Sequence, residues 1–202
     1  MKQILKGVEP DAFSTWKDED TMSHRPRWNR VPAEIRKFIH QALIQEQGFI
    51  CCYCESMVML ENSHVEHFRP KENYQDRQLE YENLLCSCQR ELAVGEPRHC
   101  GYKKGSWFDE NLLISPLDAN CEQKFLFTGG GEVFPRSEGE RAAEATIQKL
   151  GLNLPKLQAL RSAAIDALYD LPREEIIRLL EKTSEGRYPN YCSAISQVLL
   201  GR

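Results

Sequence analysis

The chain of 202 residues lacks the features that are typical of membrane proteins and of secreted proteins. It has no run of eighteen apolar residues, so we expect no membrane-spanning helix. Its first residues lack an apolar core and a cleavage site, so no secretory signal is predicted and a cytoplasmic location is expected. In a reducing compartment the eight cysteines are expected to be metal ligands or buried thiols, not disulfides.

The chain also lacks a surplus of positive charge, since its formal net charge is -4. A protein that binds nucleic acid unaided usually has a basic face. Contact with nucleic acid would therefore have to be local, assisted by a metal, or shared with a partner protein. The acidic balance favours a subunit of a complex.

What the chain does have is two groups of cysteines. Cys51 and Cys54 have the spacing that lets two sulfurs from one tight turn reach the same ion, and Cys52 is expected to point elsewhere. Four thiolates at about 2.3 Å complete the tetrahedral coordination of Zn²⁺. The spacing therefore predicts one half of a structural zinc site.

The second group contains Cys86, Cys88 and Cys100. Cys88 and Cys100 are favoured as the remaining zinc ligands, with residues 89–99 looping out, because Cys86 and Cys88 are too close together for a standard pair. The alternative interpretation is that these cysteines are small buried hydrophobic residues. Their crowding favours zinc.

A histidine-rich strand is predicted between the two groups. Residues two apart on a strand share a face, so His64 and Glu66 are predicted to point one way and His67 the other. A carboxylate such as that of Glu66 suits Mg²⁺ or another divalent cation. An imidazole such as that of His67 can accept a proton from water at neutral pH. The pattern predicts a hydrolytic site.

Three segments are predicted: an N-terminal segment with a packing helix at 1–49, a module with the cysteines, the histidines and a hairpin at 50–135, and a helical region at 136–202. In the first, residues 1–31 are expected to be irregular, and a packing helix is expected from Pro32 to Gly48.

In the second segment, two paired strands are expected near 56–60 and 63–68, and a hairpin is expected within 111–135. The third segment is expected to be helical. A capping box formed by Ser137 and Glu140 is expected to begin it, with further helices from Pro155, near 172–183 and near 189–200.

Together these residues resemble the HNH endonuclease motif: Cys51-x-x-Cys54, His64 to Lys71, Glu82-Asn83-Leu84-Leu85, and the later cysteines. The resemblance implies an α+β fold with a ββα-metal core and structural zinc, flanked by an N-terminal helix and a C-terminal helical region. It implies that His67 is the general base, that Glu66 binds the catalytic metal, and that Asn83 holds the loop that orients His67.

One position departs from the motif. Gly101 follows Cys100, where the family has a histidine or asparagine that binds the catalytic metal. His64 and His99 are the alternative second ligands, and Tyr102 is a poorer option. The remaining predicted contacts are with nucleic-acid phosphates, through Arg69, Lys71, Lys103 and Lys104.

From about Gln47 to Arg161 the chain also resembles the PtuB family, the HNH nuclease subunits of Septu-type and retron-associated anti-phage systems. Shared features include His67-Phe68-Arg69-Pro70-Lys71 and Cys100-Gly101-Tyr102-Lys103-Lys104-Gly105. The resemblance implies a bacterial defence effector that cleaves DNA or RNA with a PtuA-like ATPase of the ABC or SMC-like kind, and possibly with a retron reverse transcriptase–DNA complex. The alternatives are a zinc-ribbon adaptor without catalysis and a free-standing restriction-type HNH nuclease.

Overall fold

A computed structural model describes residues 1–19 and 26–201 of the chain. Within these residues the chain forms helices and two small antiparallel sheets, which confirms the predicted α+β class. In chain order the elements are α1 Asp11–Asp18, α2 Ala33–Glu46, β1 Ser63–His67, β2 Leu84–Cys88, α3 Cys100–Lys104, β3 Phe125–Phe127, β4 Val133–Pro135, α4 Arg141–Leu150, α5 Pro155–Asp166, α6 Arg173–Leu180 and α7 Cys192–Leu200.

The N-terminal segment contains more regular structure than the sequence predicts. Residues 1–31 were expected to be irregular, but α1 forms within them and buries Phe13 and Trp16, which lie three residues apart on one helical face. Two aromatic anchors are too few to give a clear periodic signal among polar residues. Trp28 is also buried, in a single 3₁₀ turn. The part of this prediction that concerns residues 20–25 lies outside the described residues.

Helix α2 confirms the packing helix predicted after Pro32, which is its N-cap. It buries Ile39 and Leu43 against the core. The helix ends before Gly48, whose φ of 67° is a left-handed conformation that glycine adopts without strain. The chain then turns directly into the first cysteine pair.

The central ribbon pairs β1 with β2 in antiparallel register, with His64 opposite Ser87 and Glu66 opposite Leu85. The predicted strand near 63–68 is therefore confirmed, but the one near 56–60 is wrong. The partner of β1 is β2 and not residues 56–60. Residues 51–56 form a tight turn, closed by the Cys51 N–H donating to the Ser56 carbonyl over 2.8 Å, and Met57 after it forms an isolated bridge with Ile50.

The second sheet is the hairpin β3–β4, which confirms the prediction for residues 111–135. The C-terminal helices are also confirmed, with α5 starting at Pro155. The capping box is wrong: Glu140 is the N-cap of α4 and no side chain caps the helix. The Glu140 carboxylate instead accepts a hydrogen bond from Lys124 over 2.6 Å.

The core has two parts. The larger draws on residues from Met1 to Leu157 and encloses the β1–β2 ribbon. The smaller lies among α5, α6 and α7 around Ile165, Ile176 and Ile195. Among the described residues, we find no helix with the length and apolar character needed to cross a bilayer.

Candidate functional site

Four buried cysteine sulfurs converge beside the β1–β2 ribbon, from Cys51, Cys54, Cys88 and Cys100. All four Sγ atoms lie within 4.8 Å of one another, and those of Cys54 and Cys88 are 3.7 Å apart. Sulfurs that share one Zn²⁺ lie about 3.8 Å apart in a tetrahedron with bonds of about 2.3 Å. The four residues are those predicted from the sequence, and the donor set could hold a zinc ion.

Three elements deliver these sulfurs. Cys51 and Cys54 come from the tight turn after α2, Cys88 from the end of β2, and Cys100 from the start of α3. The intervening residues 89–99 loop out, as predicted. Cys100 has a φ of 53°, so the backbone bends sharply where it carries the last sulfur. A metal ion held by the four sulfurs would therefore fix α3 against the ribbon.

The thiols of this cluster divide into two pairs, since the pKa values of Cys88 and Cys100 are raised, that of Cys100 mainly by burial, and those of Cys51 and Cys54 are lowered. Burial would raise the pKa of Cys51, but hydrogen bonds from the neighbouring thiols, led by Cys100, lower it well below its usual value. A hydrogen bond from Cys100 likewise lowers the pKa of Cys54 to about 6. Burial raises the pKa of Cys52 and Cys86, which are outside the cluster. Thiolates, the form that binds zinc, are thus favoured at the first pair.

On the other side of α3, the side chains of His64 and Glu66 meet. His64 Nε2 lies 3.6 Å from Glu66 Oε2, as their shared face of β1 predicts. Gly101 of α3 faces both: a Cβ at this position would lie 2.5 Å from Glu66 Oε2 and 2.9 Å from His64 Nε2. Two ligand atoms that share a divalent cation at about 2.1 Å each lie roughly 3–4 Å apart. The pair therefore fits a cation site that a side chain at 101 would fill.

The second carboxylate oxygen of Glu66, Oε1, is fixed by two neighbouring side chains. Oε1 accepts a hydrogen bond from the Tyr53 hydroxyl over 3.2 Å and forms an ion pair of 2.8 Å with Lys104 Nζ. Burial would raise the pKa of Glu66, but the hydrogen bond from His64 and the charge of Lys104 lower it below its usual value. The carboxylate is therefore ionised at neutral pH, with Oε2 turned toward His64.

His67 points to the opposite face of β1, as predicted. Its Nε2 lies 3.1 Å from the Gln78 carbonyl, so this nitrogen carries the proton in the neutral ring and the lone pair is on Nδ1. The edge of Trp28 packs against the ring at 4.8 Å between centroids, and His67 is only 8% exposed. Burial lowers the pKa of His67 to about 4, so the ring is neutral at pH 7.

Asn83 ties together the two ends of the loop between β1 and β2. Its Oδ1 accepts from the Arg69 N–H over 2.7 Å, and its Nδ2 donates to the carbonyls of Arg69 and Arg77, each over 3.0 Å. Gln78 follows Arg77 and presents its carbonyl to His67. Asn83 thus positions the backbone that fixes the histidine tautomer.

The other predicted site residues do not all lie at this site. His99 Nδ1 lies 3.6 Å from Cys88 Sγ and 3.2 Å from Cys100 Sγ, beside the cysteine cluster. Lys104 is only 3% exposed and cannot meet phosphates at the surface as the sequence predicts. Its neighbour Lys103 is exposed.

Arg69 and Lys71 lie where the chain leaves β1. Arg69 forms an ion pair of 2.6 Å with the exposed Glu110, and Lys71 is partly buried. Sequence reasoning missed Trp28, Tyr53 and the Gln78 carbonyl. Only the aromatic character of the first two is visible in the sequence, and a backbone carbonyl leaves no sequence signal.

Two known proteins are similar to this chain. One from Vibrio cholerae serotype O1 biovar El Tor, named "Retron Vc95 putative HNH endonuclease", is 30% identical over 161 residues, which cover 76% of this chain and 72% of the relative. The chain belongs to the HNH endonuclease family. An Escherichia coli relative of this HNH protein, named "Retron Ec83 putative HNH endonuclease", is 25% identical over 219 aligned positions, covering 89% and 85% of the two chains.

No protein-family model matches the sequence. The similarity to these relatives nevertheless confirms the predicted resemblance to the HNH endonuclease family. The finer likeness of this HNH protein to PtuB remains a prediction.

Proposed function

We propose that this HNH protein hydrolyses phosphodiester bonds of nucleic acid with the help of a divalent cation. The observation that carries the proposal is the pairing of His64 Nε2 with Glu66 Oε2 over Gly101, with His67 next to Glu66 on the same strand. A nitrogen and a carboxylate oxygen at 3.6 Å, facing a residue without a side chain, suit a cation such as Mg²⁺ or Mn²⁺.

The order of elements supports a ββα-metal core. Strands β1 and β2 pair, α3 follows, and its residues Gly101 and Lys104 lie against Glu66 of β1. Zinc bound by Cys51, Cys54, Cys88 and Cys100 would fix α3 in this position and has no open coordination site for chemistry.

His64 is the second ligand that the geometry favours. His99, the alternative, lies beside the cysteine sulfurs, and Tyr102 donates its hydroxyl to the Arg90 carbonyl over 2.7 Å. His64 Nδ1 is buried and has no hydrogen-bond partner among the described residues. In this proposal, His64 of β1 replaces the metal ligand that the HNH motif has at the position of Gly101 on α3.

His67 is the proposed general base. Nε2–H donates to the Gln78 carbonyl, and Nδ1 takes a proton from the water that attacks phosphorus. The bond to the 3′ oxygen breaks, and this leaving oxygen takes a proton from solvent. A divalent cation, when bound, supplies electrostatic stabilisation of the charge that develops on the phosphate. Asn83 keeps Gln78 in place, and Lys104 with Tyr53 keeps Glu66 in place.

We further propose that the protein is the effector subunit of a bacterial anti-phage complex containing a PtuA-like ATPase. The retron names of both relatives support a defence context. The net charge of -4 supports a partner that provides much of the grip on nucleic acid. An ATPase that co-purifies with the protein from its native host would support this assignment, and purification as a lone active chain would contradict it.

The activity is tested on supercoiled plasmid and on tRNA, with Mg²⁺, Mn²⁺ or chelator. Wild type and His67→Ala are purified from the native host with any proteins that bind them. We expect cleavage by wild type in the presence of the divalent cation, and a loss of about 100-fold or more in His67→Ala with unchanged zinc content.

One observation favours a second candidate, a zinc-ribbon adaptor without catalysis. His67 is only 8% exposed and Trp28 covers it, so the ring could serve packing alone. The adaptor predicts no cation-dependent cleavage by wild type on either substrate, with or without co-purified proteins.

A further inference from the structure

A groove of about 500 Å³ lies between α2 and β1. Residues at its rim and floor include Trp28, Arg36, Lys37, His64 and Arg90. None of the three basic residues belongs to the predicted HNH motif. Since the groove is open to solvent and much larger than a water molecule, it has room for a segment of a ligand.

The charge of the groove differs from that of the whole chain. Its charged lining residues are Arg36, Lys37 and Arg90, and no described carboxylate lines it. The cavity beside Arg69 is also lined by Glu80 and Glu110. In a chain with a net charge of -4, a groove with cations alone concentrates anionic ligands locally.

The cations of the groove are available to a ligand. Within residues 1–19 and 26–201, neither Arg36 nor Lys37 forms an ion pair, and both are exposed on α2. Arg90 is held in place by its own guanidinium, which donates to the Leu60 carbonyl over 2.8 Å. The backbone carbonyl of Arg90 accepts from Tyr102, whose ring packs against His64. Arg90 is thus fixed relative to the proposed metal ligand.

Two residues of the groove contact the proposed catalytic residues. His64 lines it and lies 3.6 Å from Glu66. Trp28 lines it and packs against the ring of His67. A strand lying in the groove would therefore contact His64, a ligand of the proposed cation site, and Trp28, which packs against the proposed general base.

We propose that this groove binds the sugar–phosphate backbone of the nucleic-acid substrate, with Arg36, Lys37 and Arg90 contacting phosphates on the way to the cleavage site. The proposal rests on the proposed function, since it names the path by which the substrate reaches that site. It assigns the main phosphate contacts of the chain to α2 and to Arg90 after β2, not to Lys103 and Lys104.

Binding is measured apart from cleavage. The full chain carrying His67→Ala is purified from the native host with any proteins that bind it. It is then titrated, by fluorescence anisotropy in chelator, into fluorescein-labelled single- and double-stranded DNA and RNA at several salt concentrations. The groove variant adds Arg36→Glu and Lys37→Glu. The control variant adds Arg141→Glu and Arg178→Glu on α4 and α6, which lowers the net charge by the same amount at exposed positions that do not line the groove.

We expect the groove variant to bind about tenfold or more weakly and to reduce the slope of log K against log salt by about 1–2, because each phosphate contact contributes about 0.9 to that slope. The control should bind as the parent does. Equal weakening in both variants, unchanged binding in the groove variant, or no binding by the parent would each overturn the proposal. Loss of a co-purifying protein with nucleic-acid binding intact would assign the groove to a protein partner instead.

The experiments distinguish failure of the groove assignment from failure of the proposed hydrolysis. If the groove variant binds normally while wild type cleaves and His67→Ala does not, only the groove assignment is wrong. If wild type never cleaves but the groove variant loses binding, the groove is a nucleic-acid site and the proposed hydrolysis is wrong. Zinc content and circular dichroism of each variant exclude misfolding as the cause.

Discussion

Glu66 Oε2 lies 3.6 Å from His64 Nε2, on the face of β1 that meets Gly101. Its second oxygen is fixed by Tyr53 and Lys104. In the proposed site, His64 of the strand would take the place of the helix-borne metal ligand of the HNH motif. A side chain at Gly101 could not occupy the same space as these two groups.

Gly101→Ala should weaken binding of the catalytic cation by about tenfold or more. The new Cβ would lie 2.5 Å from Glu66 Oε2 and 2.9 Å from His64 Nε2, so the two ligand atoms must separate. Titration with Mn²⁺ followed by electron paramagnetic resonance measures the effect. Gly129→Ala is the matched control, since a Cβ there meets no atom within 4 Å, and equal Mn²⁺ affinities in both variants would contradict the account.

Cys54→Ser should remove stoichiometric zinc and lower the thermal midpoint, because structural zinc contributes directly to folding free energy. The matched control is Cys121→Ser, a buried thiol outside the cluster. Zinc is counted by atomic emission spectroscopy on the purified proteins. A full complement of zinc in Cys54→Ser, or its loss in Cys121→Ser, would exclude the assigned ligand set.

Asn83→Ala should destabilise the protein by about 2 kcal/mol, because it leaves partly buried backbone groups of Arg69 and Arg77 without partners. It should also lower cleavage per folded molecule, because the loop that presents Gln78 to His67 is released. Urea unfolding and a cleavage assay measure the two effects.

Asn153→Ala tests whether that loss of cleavage is specific. Asn153 also bonds both backbone groups of one residue, Val133, over 2.7 and 2.8 Å, but far from His67 in the chain. We expect lower stability with cleavage per folded molecule retained. Equal losses of cleavage in the two variants would show that Asn83 acts through stability alone.

His40→Gln should reduce the loss of stability in acid. His40 is buried against Ser63 Oγ at 2.8 Å, and burial lowers its pKa to about 4. As pH falls, His40 is therefore protonated at a higher pH in the unfolded chain than in the folded one. The wild type loses stability as pH falls from about 6.5 toward 4. The loss is at most about 3 kcal/mol, and less where solvent screens the ring. Urea unfolding at pH 7 and pH 5 should show a smaller difference in the variant, and an equal difference would contradict this assignment.

Much of the arrangement of the candidate metal ligands could be predicted from sequence because it depends on short-range spacing. The pair Cys51 and Cys54 reveals a turn, and the alternation of a strand places His64 and Glu66 on one face. These two features can be recognised without knowledge of the tertiary structure. The second pair required a choice between Cys86 and Cys88, which the cluster settles in favour of Cys88.

The surroundings of the site could not be predicted, because distant segments supply them. Trp28 reaches His67 from the N-terminal segment, and nothing near either residue indicates the contact. Lys104 sits in a basic pair that is typical of a surface, yet its ammonium is buried beside Glu66. An ion pair that compensates burial is visible only when both partners are placed in space.

The central claim is that one divalent cation binds between His64 and Glu66. Mn²⁺ binding by electron paramagnetic resonance tests it most directly in wild type, Glu66→Gln, His64→Ala and His99→Gln, each with its zinc content checked. We expect one site in wild type, an affinity reduced about 10- to 100-fold in Glu66→Gln and His64→Ala, and an unchanged affinity in His99→Gln. Wild-type affinity in Glu66→Gln, or a loss confined to His99→Gln, would contradict the account.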